Sequence, residues 1–504
     1  MDGLQSCLLA IFITLFLGLV ASVWLFLDRR RNYWKMRNFP CSSDPALFFG
    51  DYKETNKTEH MSRTNQRLYR EFKARKLPVG GSILFVIQSA IVVDPELIKA
   101  ILVKDFSSFH DRGIYNNPEV DPISGHLFAL EGQAWRQLRM KLSPTFTSGK
   151  MKLMFETILG VADELRSYLD EKVGAGGSAE VMMKDVLNGF TVDVIGNCAF
   201  GLECNSLRSD KCQVREIGLQ VFQQSKLQVL KTMFMMMFKG IATTFKMRSF
   251  PAAVENFFID LVHNTVEQRE KNNILRNDFM NLLIQLKNSE DPNARITMNE
   301  MAAQSFVFFL AGSETSSTAM VNCVYELAMN QEVQDKLRTE ILRVCGKGNL
   351  TYESVNSVEY LNMVIDETLR KHPSVDFLMR TTSNDYPVPG SDLTIPRGTF
   401  VIVPTYALQH DPDHFPDPDR FDPERFNERN RAARHPFVYL PFGEGPRNCI
   451  GMRFGLMQIR VGLIAMLREF RVRPSARTPV PLKLDLKSNM PMPEGGVPLL
   501  LERI

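Results

Sequence analysis

A ten-residue loop near the end of the chain holds the residues best suited to chemistry. Residues 442–451, FGEGPRNCIG, place Cys449 in a glycine- and proline-rich turn directly before a stretch of helix-compatible composition. A cysteine at a helix N-terminus faces backbone N–H groups and the helix dipole, which favour the thiolate form. Phe442 can shield the sulfur from water. The loop therefore suits a thiolate bound to one iron, and a buried structural cysteine is the competing interpretation.

Two further pairs of residues stand at helical spacing. Trp135 and Arg139 are four positions apart on a predicted helix, so both side chains project from one face and could hold a carboxylate. A tryptophan packed on an arginine stem is the alternative. Glu367 and Arg370 are i,i+3 neighbours in the helical stretch 360–370. In isolation, such a pair is expected to be exposed and to contribute only about a few tenths of a kcal/mol.

Size and composition restrict the possible classes of function. With 504 residues, 44% of them hydrophobic, the chain can form one large domain plus an anchor. The 60 basic residues nearly balance the 57 acidic ones, so the charge does not indicate a nucleic-acid-binding protein. The eight cysteines include no Cys-x-x-Cys pair, which argues against zinc and suits a reducing compartment. The 25 methionines and 35 phenylalanines could line an adaptable apolar cavity or simply pack the core.

The N-terminal segment predicts a membrane anchor. The stretch from Leu8 to Leu27 holds no charged residue and is close to the ~20 residues that span a bilayer as a helix. Basic residues follow it and only Asp2 precedes it, so the positive-inside rule places the body of the protein in the cytoplasm. A cleaved signal peptide, the competing interpretation, would carry its basic residues before the apolar stretch. We expect an anchor over 1–28, a basic hinge or linker over 29–45 and a catalytic domain over 46–504.

Weaker patterns predict the local structure elsewhere. Residues 82–93 read as two short strands that flank Gln88 and Ser89, and Asp94 then caps a helix. The glycine-rich segment 173–178 reads as a surface linker between helical stretches. The apolar run 232–239 reads as part of a substrate-access roof that dips into lipid, or as an ordinary core helix.

Five distinctive segments follow one another along the chain and together resemble one family. They are the Trp135–Arg139 pair, AGSET at 311–315, ETLR at 367–370, FDPERF at 421–426 and the cysteine loop at 442–451. In this order the segments resemble the cytochrome P450 superfamily of haem-thiolate monooxygenases, which the cysteine loop alone already resembles. The resemblance covers nearly the whole chain. HDRG at 110–113 and LSPTFTSGK at 142–150 look particularly like insect microsomal members that oxidise foreign compounds.

The resemblance implies a mainly α fold with a minor β lobe and a bound haem b. The Cys449 thiolate would be the axial ligand of the haem iron, with Phe442 beside it. Donors that match the family's propionate contacts would hold the other end of the haem: Trp135, Arg139, Arg380 and Arg447, with Arg112 as a weaker candidate.

The resemblance also implies an oxygen-binding segment. Ala311 and Gly312 would leave room for dioxygen, and Thr315 with Glu314 would relay the two protons that cleavage of the O–O bond consumes in a dry pocket. Residues 299–329 have the composition of one long helix with Gly312 in its middle. The glycine costs roughly 1 kcal/mol relative to alanine, which a helix bend or a closely approaching ligand would explain. Without the other motifs, Thr315 would be expected to bond to its own helix and Glu314 to be a solvated charge.

A third group is implied to be structural. Glu367, Arg370 and Arg425 would form a buried network that locks the cysteine loop. The residues that line the substrate pocket are harder to identify, because each candidate could equally be ordinary core. Those we expect at the pocket wall are Phe109, Ile114, Met233, Phe306, Phe309, Val375 and Met379.

The implied activity is insertion of one oxygen atom from O2 into an apolar small molecule, such as an insecticide or plant toxin, at the endoplasmic reticulum membrane. The sequence carries no dinucleotide or flavin motif, so electrons must come from another protein. By resemblance this is NADPH-cytochrome reductase, with cytochrome b5 as an additional donor. Basic residues that could dock it, or that are simply solvated, are Lys141, Lys150, Arg434 and Arg453.

Three other functions stay open on the sequence. The substrate could be an endogenous hormone or lipid. The protein could be a haem-thiolate isomerase or dehydratase, which needs neither reductase nor dioxygen, although Glu314 and Thr315 argue against this. A non-catalytic haem carrier or sensor would need no proton path at all.

Overall fold

Helices make up most of the protein. The computed structural model describes residues 2–209, 212–222, 226–346, 348–488 and 490–504. The α-helices are α1 (Asp2–Arg31), α2 (Met61–Ala74), α3 (Pro95–Lys99), α4 (Gly132–Leu142), α5 (Ser148–Val173), α6 (Met183–Ile195), α7 (Gln213–Phe222), α8 (Lys226–Met237), α9 (Lys239–Thr244), α10 (Ala252–Lys271), α11 (Phe279–Lys287), α12 (Met298–Met329), α13 (Gln331–Cys345), α14 (Tyr352–Asn356), α15 (Glu359–Lys371), α16 (Thr405–Gln409), α17 (Glu428–Ala432) and α18 (Met452–Leu467).

Short strands form the minor β part of the fold. They are β1 (Val79–Leu84), β2 (Ile87–Val92), β3 (Ser178–Met182), β4 (Leu378–Thr381), β5 (Tyr386–Pro387), β6 (Thr394–Ile395), β7 (Phe400–Val403), β8 (Phe470–Pro474) and β9 (Pro498–Arg503). One sheet has the order β1-β2-β7-β4, in which only the β2–β7 pair is parallel. An antiparallel sheet has the order β3-β9-β8, and β5 pairs with β6. This mainly α architecture with a minor β part is the fold class that the sequence predicted.

The first strand pair turns earlier than the sequence indicated. Phe85, in the left-handed region at φ 57°, lies in the turn between β1 and β2, whereas Gln88 and Ser89 are inside β2. Ser82 and Ser89 face each other across the ladder, and their buried hydroxyls are 2.7 Å apart. The two polar residues therefore satisfy each other within the sheet, and the prediction of a break at Gln88–Ser89 was wrong.

Two other local predictions have different outcomes. Asp94 caps α3, since its carboxylate accepts a hydrogen bond from the Glu96 amide at 3.1 Å, which confirms that helix start. The glycine-rich segment does not join two helices. Gly174–Gly176 form a single 3₁₀ turn that leads from α5 into β3. Ser178, the last residue of the expected linker, is therefore the first residue of a strand.

Helix α12 is the central element of the main core. A capping box fixes its start: the Glu300 amide donates to Thr297 Oγ1 at 3.1 Å, and the Thr297 amide donates to Glu300 Oε2 at 2.7 Å. The helix is buried along most of its length and packs against α6, α10, α15 and α18. Its bounds confirm the predicted helix over 299–329. Because α18 follows the cysteine loop, the α12–α18 contact holds this loop and the 311–315 segment in one packed unit.

The N-terminal helix α1 is long and apolar enough to cross a membrane. Its most apolar 18-residue window has a mean hydropathy of 2.6 and is not buried by the rest of the protein. The chain beyond it packs on the sheet. Trp34 is buried and donates from Nε1 to the Ser82 carbonyl at 2.9 Å, and Phe39 is buried in the same core. At least residues 34–42 of the expected linker are therefore part of the folded body.

The apolar run at 232–239 spans the end of α8 and the start of α9. Met235 is buried against Tyr115 and Ala242, as the core interpretation predicts. Phe234 within the run is exposed, and so are Leu230 and Phe245 on either side of it. The segment is therefore part of the packed body on one face and apolar surface on the other.

Candidate active site

The cysteine loop is shaped by glycines and by its own backbone hydrogen bonds. The Cys449 amide donates to the Phe442 carbonyl at 2.8 Å, and the Asn448 amide donates to the Gly445 carbonyl at 3.1 Å. Gly445 has φ 74°, and a Cβ built on it would lie 2.0 Å from the Leu102 carbonyl oxygen. Only glycine fits there, because the neighbour is rigid backbone and the conformation is left-handed. The loop is thereby pressed against the chain that follows α3.

The sulfur of Cys449 is the reactive group of this loop. The side chain is accessible, but it lines an interior cavity and so faces that space, not bulk solvent. Burial raises the pKa of the Cys449 thiol, while the Gly451 amide and the guanidinium groups of Arg139 and Arg112 act in the opposite direction. The helix start thus favours the thiolate as expected, but burial outweighs it in the protein alone. A bound metal cation would reverse the balance, because a coordinating thiol is deprotonated.

The cavity in front of Cys449 gathers most of the predicted site residues. Its volume is about 320 Å³. Its lining includes every residue expected to contact the haem and three of the four site residues predicted in the oxygen-binding segment: Arg112, Trp135, Arg139, Arg380, Phe442, Arg447, Cys449, Ala311, Gly312 and Thr315. Residues from distant parts of the chain therefore share one interior space.

Four arginines, Arg112, Arg139, Arg380 and Arg447, place positive charge around one end of this cavity. Burial lowers the pKa of Arg380 to about 10, with Arg447 adding repulsion, and burial lowers the pKa of Arg447 to about 10. The pKa of Arg112 is well below its usual value, first from burial and then from the other three arginines. Only one carboxylate, Asp111, lies within ion-pair distance of any of them in the described chain, 3.7 Å from Arg447.

The charge of this arginine cluster is largely unsatisfied within the protein, which bears on whether a haem fits the cavity. The Nε atoms of Arg380 and Arg447 are buried and have no hydrogen-bond partner within the described ranges. Buried charge that lacks a counter-ion is costly, so the cavity requires an anion at this end. The propionates of a haem whose iron is bound by Cys449 would supply it. The donor set therefore fits this cofactor.

Trp135 and Arg139 lie in the cavity wall but make separate contacts. Arg139 donates to the Asn448 carbonyl at 3.0 Å and to Asn448 Oδ1 at 2.7 Å, next to the cysteine. The Trp135 ring lies 4.4 Å from the Arg447 guanidinium carbon. Asn448 therefore joins α4 to the cysteine loop. Nothing in the sequence distinguished Asn448 from any other polar loop residue.

Arg112 and Arg447 are fixed to the loop that precedes α4. Arg112 donates to the carbonyls of Phe128 and Arg447, at 3.1 and 3.2 Å. Arg447 donates to the Leu130 carbonyl at 2.5 Å. Backbone carbonyls hold these guanidinium groups in place without neutralising their charge, which leaves them available to an anionic ligand.

The oxygen-binding segment divides between two sides of α12. The Thr315 hydroxyl lines the cavity and donates to the Ala311 carbonyl at 2.6 Å, which is the local bond expected for an isolated threonine in a helix. Glu314 does not line the cavity. It is buried against α6, where Asn188 donates to its Oε2 at 3.0 Å, and burial raises the pKa of its carboxyl. Glu314 is therefore neither a solvated charge nor a direct neighbour of the cavity.

Gly312 has a packing role. A Cβ on Gly312 would lie 2.5 Å from Cδ1 of Ile195 in α6, so the glycine permits close contact between α6 and α12. Its carbonyl accepts a hydrogen bond from Gln458 Nε2 at 2.9 Å, and the same nitrogen is 2.5 Å from Ser316 Oγ. Gln458, which sequence reasoning missed, thus ties α18 to α12 beside the cavity.

The predicted Glu–Arg–Arg network is present behind the cysteine loop. Glu367 and Arg370 are fully buried and paired through two hydrogen bonds, of 2.7 and 2.9 Å. Arg425 Nε lies 3.4 Å from Glu367 Oε1, and the Arg425 guanidinium donates to the carbonyls of Pro416 and Asp417. The pair is therefore not the exposed ion pair that an isolated Glu-x-x-Arg would form.

Gln409 connects this network to the cysteine loop. The Arg370 guanidinium donates to the Gln409 carbonyl at 2.9 Å, and Gln409 Nε2 donates to the carbonyls of Leu369 and Arg370. Gln409 Oε1 accepts from the Leu440 amide at 3.2 Å, two residues before Phe442. A glutamine at the end of a short helix gives no sequence signal for this role.

The apolar wall only partly matches the expected pocket. Val375 and Met379 line the cavity, whereas Phe109, Phe306 and Phe309 are buried in the cores away from it, and Ile114 and Met233 do not line it. The side chains that do form much of the apolar wall are Leu127, Phe128, Phe146, Val307, Phe308, Phe377 and Leu378. For α12 the prediction selected Phe306 and Phe309, but the helix turns Val307 and Phe308 inward.

Comparison with known proteins agrees with the site. The family model for cytochrome P450 matches residues 40–499. The chain is 43% identical to cytochrome P450 6a2 of Drosophila melanogaster over 501 residues, covering 96% of this chain and 98% of that protein. It is 41% identical to cytochrome P450 6A1 of Musca domestica over 503 residues, covering 98% of both. This chain belongs to the cytochrome P450 family.

Membership settles the cofactor and the reaction class. A cytochrome P450 carries haem, and the protein is a cytochrome P450 monooxygenase. When bound, the haem supplies the oxygen-activating chemistry. The protein's own residues place the Cys449 sulfur, the guanidinium groups that would pair with the propionates and the Thr315 hydroxyl on the wall of one cavity. The predicted family and cofactor are confirmed.

Proposed function

We propose that this cytochrome P450 inserts one oxygen atom from O2 into apolar small molecules of foreign origin, such as insecticides or plant toxins. The observation that carries the proposal is the shared cavity, in which the Cys449 sulfur, the Thr315 hydroxyl and a wall of aromatic and aliphatic side chains meet. Such a wall binds ligands by apolar contact, so it accepts many shapes and selects against charged ones.

The site residues have distinct proposed roles. Cys449 ligates the iron, with Phe442 covering the sulfur, and the propionates lie against Arg112, Trp135, Arg139, Arg380 and Arg447. Thr315 holds a proton at its hydroxyl for delivery into the cavity. Glu314, on the other side of the helix, would supply protons through a chain that includes Asn188 and water.

The proposed setting is the cytoplasmic face of the endoplasmic reticulum membrane. The apolar helix α1 supports it, because basic residues occupy its last turn and the folded body follows on the same side. Leu227, Leu230 and Phe245 add exposed apolar surface near the chain that packs on α1. We take this surface to touch membrane lipid.

NADPH-cytochrome reductase is the proposed electron donor, with cytochrome b5 as an additional donor. Arg453 is exposed at the first turn of α18, just after the cysteine loop, and is the strongest of the four docking candidates. Lys141 and Lys150 are partly buried, and Lys141 donates to the Arg295 carbonyl at 2.6 Å. Arg434 packs over the rings of Phe415 and Phe426, which favours a structural role.

Product analysis with labelled oxygen tests the proposed function. The full-length protein is reconstituted with the reductase and NADPH under ¹⁸O2 and given a panel of apolar compounds, including insecticides, plant toxins, steroid hormones and fatty acids. We expect foreign compounds to gain one labelled oxygen only when NADPH and reductase are present. Preferential oxidation of the hormones or lipids would overturn the substrate class. Rearranged products without NADPH would instead indicate an isomerase or dehydratase.

A further inference from the structure

A cleft lies where the anchor helix meets the folded body. It has a volume of about 670 Å³ and lies between the end of α1, the chain that follows it and the sheet. Leu25, Phe26 and Met36 give it apolar walls, and Arg29 and Arg30 place positive charge on its border. The cleft therefore combines an apolar groove with a cationic rim.

Phe26 in the wall of this cleft, and residues next to other lining residues, pack against the folded body. Leu27 is buried, and the Phe26 ring lies 6.2 Å from the ring of Phe238, between α8 and α9. On the other side, Trp34 is held by its hydrogen bond to Ser82 and packs so closely on Gly81 that a Cβ there would lie 2.5 Å from the indole. The cleft is thus a built feature at the root of the helix.

The arginines at the rim have no counter-ion in the part of the chain that the structure describes. No carboxylate of the described residues forms an ion pair with Arg29, Arg30 or Arg31, and the neighbouring Asp28 accepts a hydrogen bond from Asn32 at 3.0 Å. Arg31 Nε is buried without a hydrogen-bond partner there. The helix dipole favours cations at this end, but it leaves their hydrogen-bonding capacity unused.

We propose that this cleft binds one anionic phospholipid from the cytoplasmic leaflet. The lipid phosphate lies against Arg29 and Arg30, and an acyl chain follows Leu25, Phe26 and Met36. The two halves of the cleft match the two halves of such a lipid: the arginines stand where the apolar part of α1 ends, which is the depth of the headgroups when the helix spans the bilayer. The inference rests on the proposed membrane anchoring.

Lipid retention by the full-length protein tests this site. Wild type, the double variant Arg29→Gln/Arg30→Gln and the charge-matched double variant Lys35→Gln/Arg37→Gln are extracted from phosphatidylcholine vesicles that contain a minor fraction of phosphatidylserine. Bound lipid is then counted by native mass spectrometry. We expect wild type and the Lys35/Arg37 variant to retain one phosphatidylserine. The Arg29/Arg30 variant should retain at least about tenfold less phosphatidylserine, because loss of one charge-assisted hydrogen bond weakens binding by about that factor.

The other outcomes overturn the proposal in distinguishable ways. If both double variants lose phosphatidylserine equally, the lipid is attracted to the basic segment in general and not to this cleft. If soluble glycerophosphoserine, added as a competitor, displaces the bound lipid as well as intact phosphatidylserine does, the site recognises the headgroup without the acyl chain. Flotation of each protein with the vesicles separates the two proposals. If wild type does not float, membrane anchoring fails. If all proteins float and wild type retains no phosphatidylserine, the cleft assignment alone fails.

Discussion

Glu367 and Arg370 form a fully buried ion pair one helical turn apart, with hydrogen bonds of 2.7 and 2.9 Å. The same carboxylate also accepts from the Asp422 amide at 2.9 Å, and Arg370 reaches Gln409, whose side chain holds Leu440. The pair thus connects α15 to the chain that precedes the cysteine loop. Neither residue lines the cavity, and among the described residues the pair reaches the cysteine loop only through the Gln409–Leu440 hydrogen bond.

Replacing the carboxylate of this pair should destabilise the protein strongly. Glu367→Gln leaves the Arg370 charge buried without its counter-ion, which typically costs about 3–5 kcal/mol. We expect a large fall in the unfolding midpoint and in the fraction of protein that retains haem. Glu359→Gln, at an exposed position on the same helix, is the control and should behave like wild type. A Glu367→Gln protein with wild-type stability and haem content would show that the network is dispensable.

The glycines of the cysteine loop should differ in their tolerance of a methyl group. Gly445→Ala forces a Cβ against the Leu102 carbonyl in a left-handed backbone conformation, so the loop must shift and haem incorporation should fall. Gly451→Ala meets no atom within 4 Å and has a negative φ of −89°, so it should be tolerated. Haem content per polypeptide measures both. Equal haem content in the two variants would contradict the proposed close contact with Leu102.

Thr315 and Glu314 should contribute unequally to turnover. Thr315→Ala removes the hydroxyl at the cavity wall, and loss of a positioned proton donor typically slows a reaction by about 10²–10⁴-fold. Glu314→Gln keeps a hydrogen-bonding group toward Asn188 and acts from outside the cavity, so its effect should be smaller. Product formation per NADPH consumed, with its solvent deuterium isotope effect, measures both. A larger loss in the Glu314 variant would place the main proton donor at the carboxyl.

The buried carboxyl of Glu255 should contribute less to stability as the pH rises through the acidic range. Burial, followed by contact with Asp121, raises the pKa of Glu255 to about 7. In the unfolded chain the carboxyl ionises near 4.5. Between these values Glu255 in the folded protein holds a proton that the unfolded chain has released, so its contribution to stability declines across this window and levels off above it. Burial raises the pKa of Asp376 to about 7 as well, which adds a decline of the same sign. His126 contributes with the opposite sign, because burial lowers its pKa to about 4.

The Glu255 part of this decline can be removed. Glu255→Gln should remove this contribution, so the unfolding midpoint of the variant should rise relative to that of wild type between about pH 5 and about pH 7. Each unit of pKa difference corresponds to about 1.4 kcal/mol. The contribution of Asp376 should persist. Glu267→Gln, exposed on the same helix, is the matched control and should keep the wild-type slope. An unchanged slope in the Glu255 variant would contradict the raised pKa of Glu255.

The sequence predicted the residues that can be recognised by their type and spacing. Cys449 with its glycines, the five ordered segments and the long apolar helix α12 are of this kind. It could not predict roles that depend on which face of an element turns inward. Val307 and Phe308 face the cavity in place of Phe306 and Phe309, Gly312 packs against Ile195, and Glu314 points toward α6. Gln409 and Asn448 act through backbone contacts that only the folded chain creates.

The ligation of iron by Cys449 is the central claim, and the spectrum of the ferrous carbon monoxide complex tests it most directly. We predict that the wild-type protein, purified with haem, shows the strongly red-shifted absorption of a thiolate-ligated haem, and that Cys449→Ala loses both this band and turnover. A wild-type spectrum like that of a histidine-ligated globin, or a Cys449→Ala variant that keeps the thiolate band, would contradict the account.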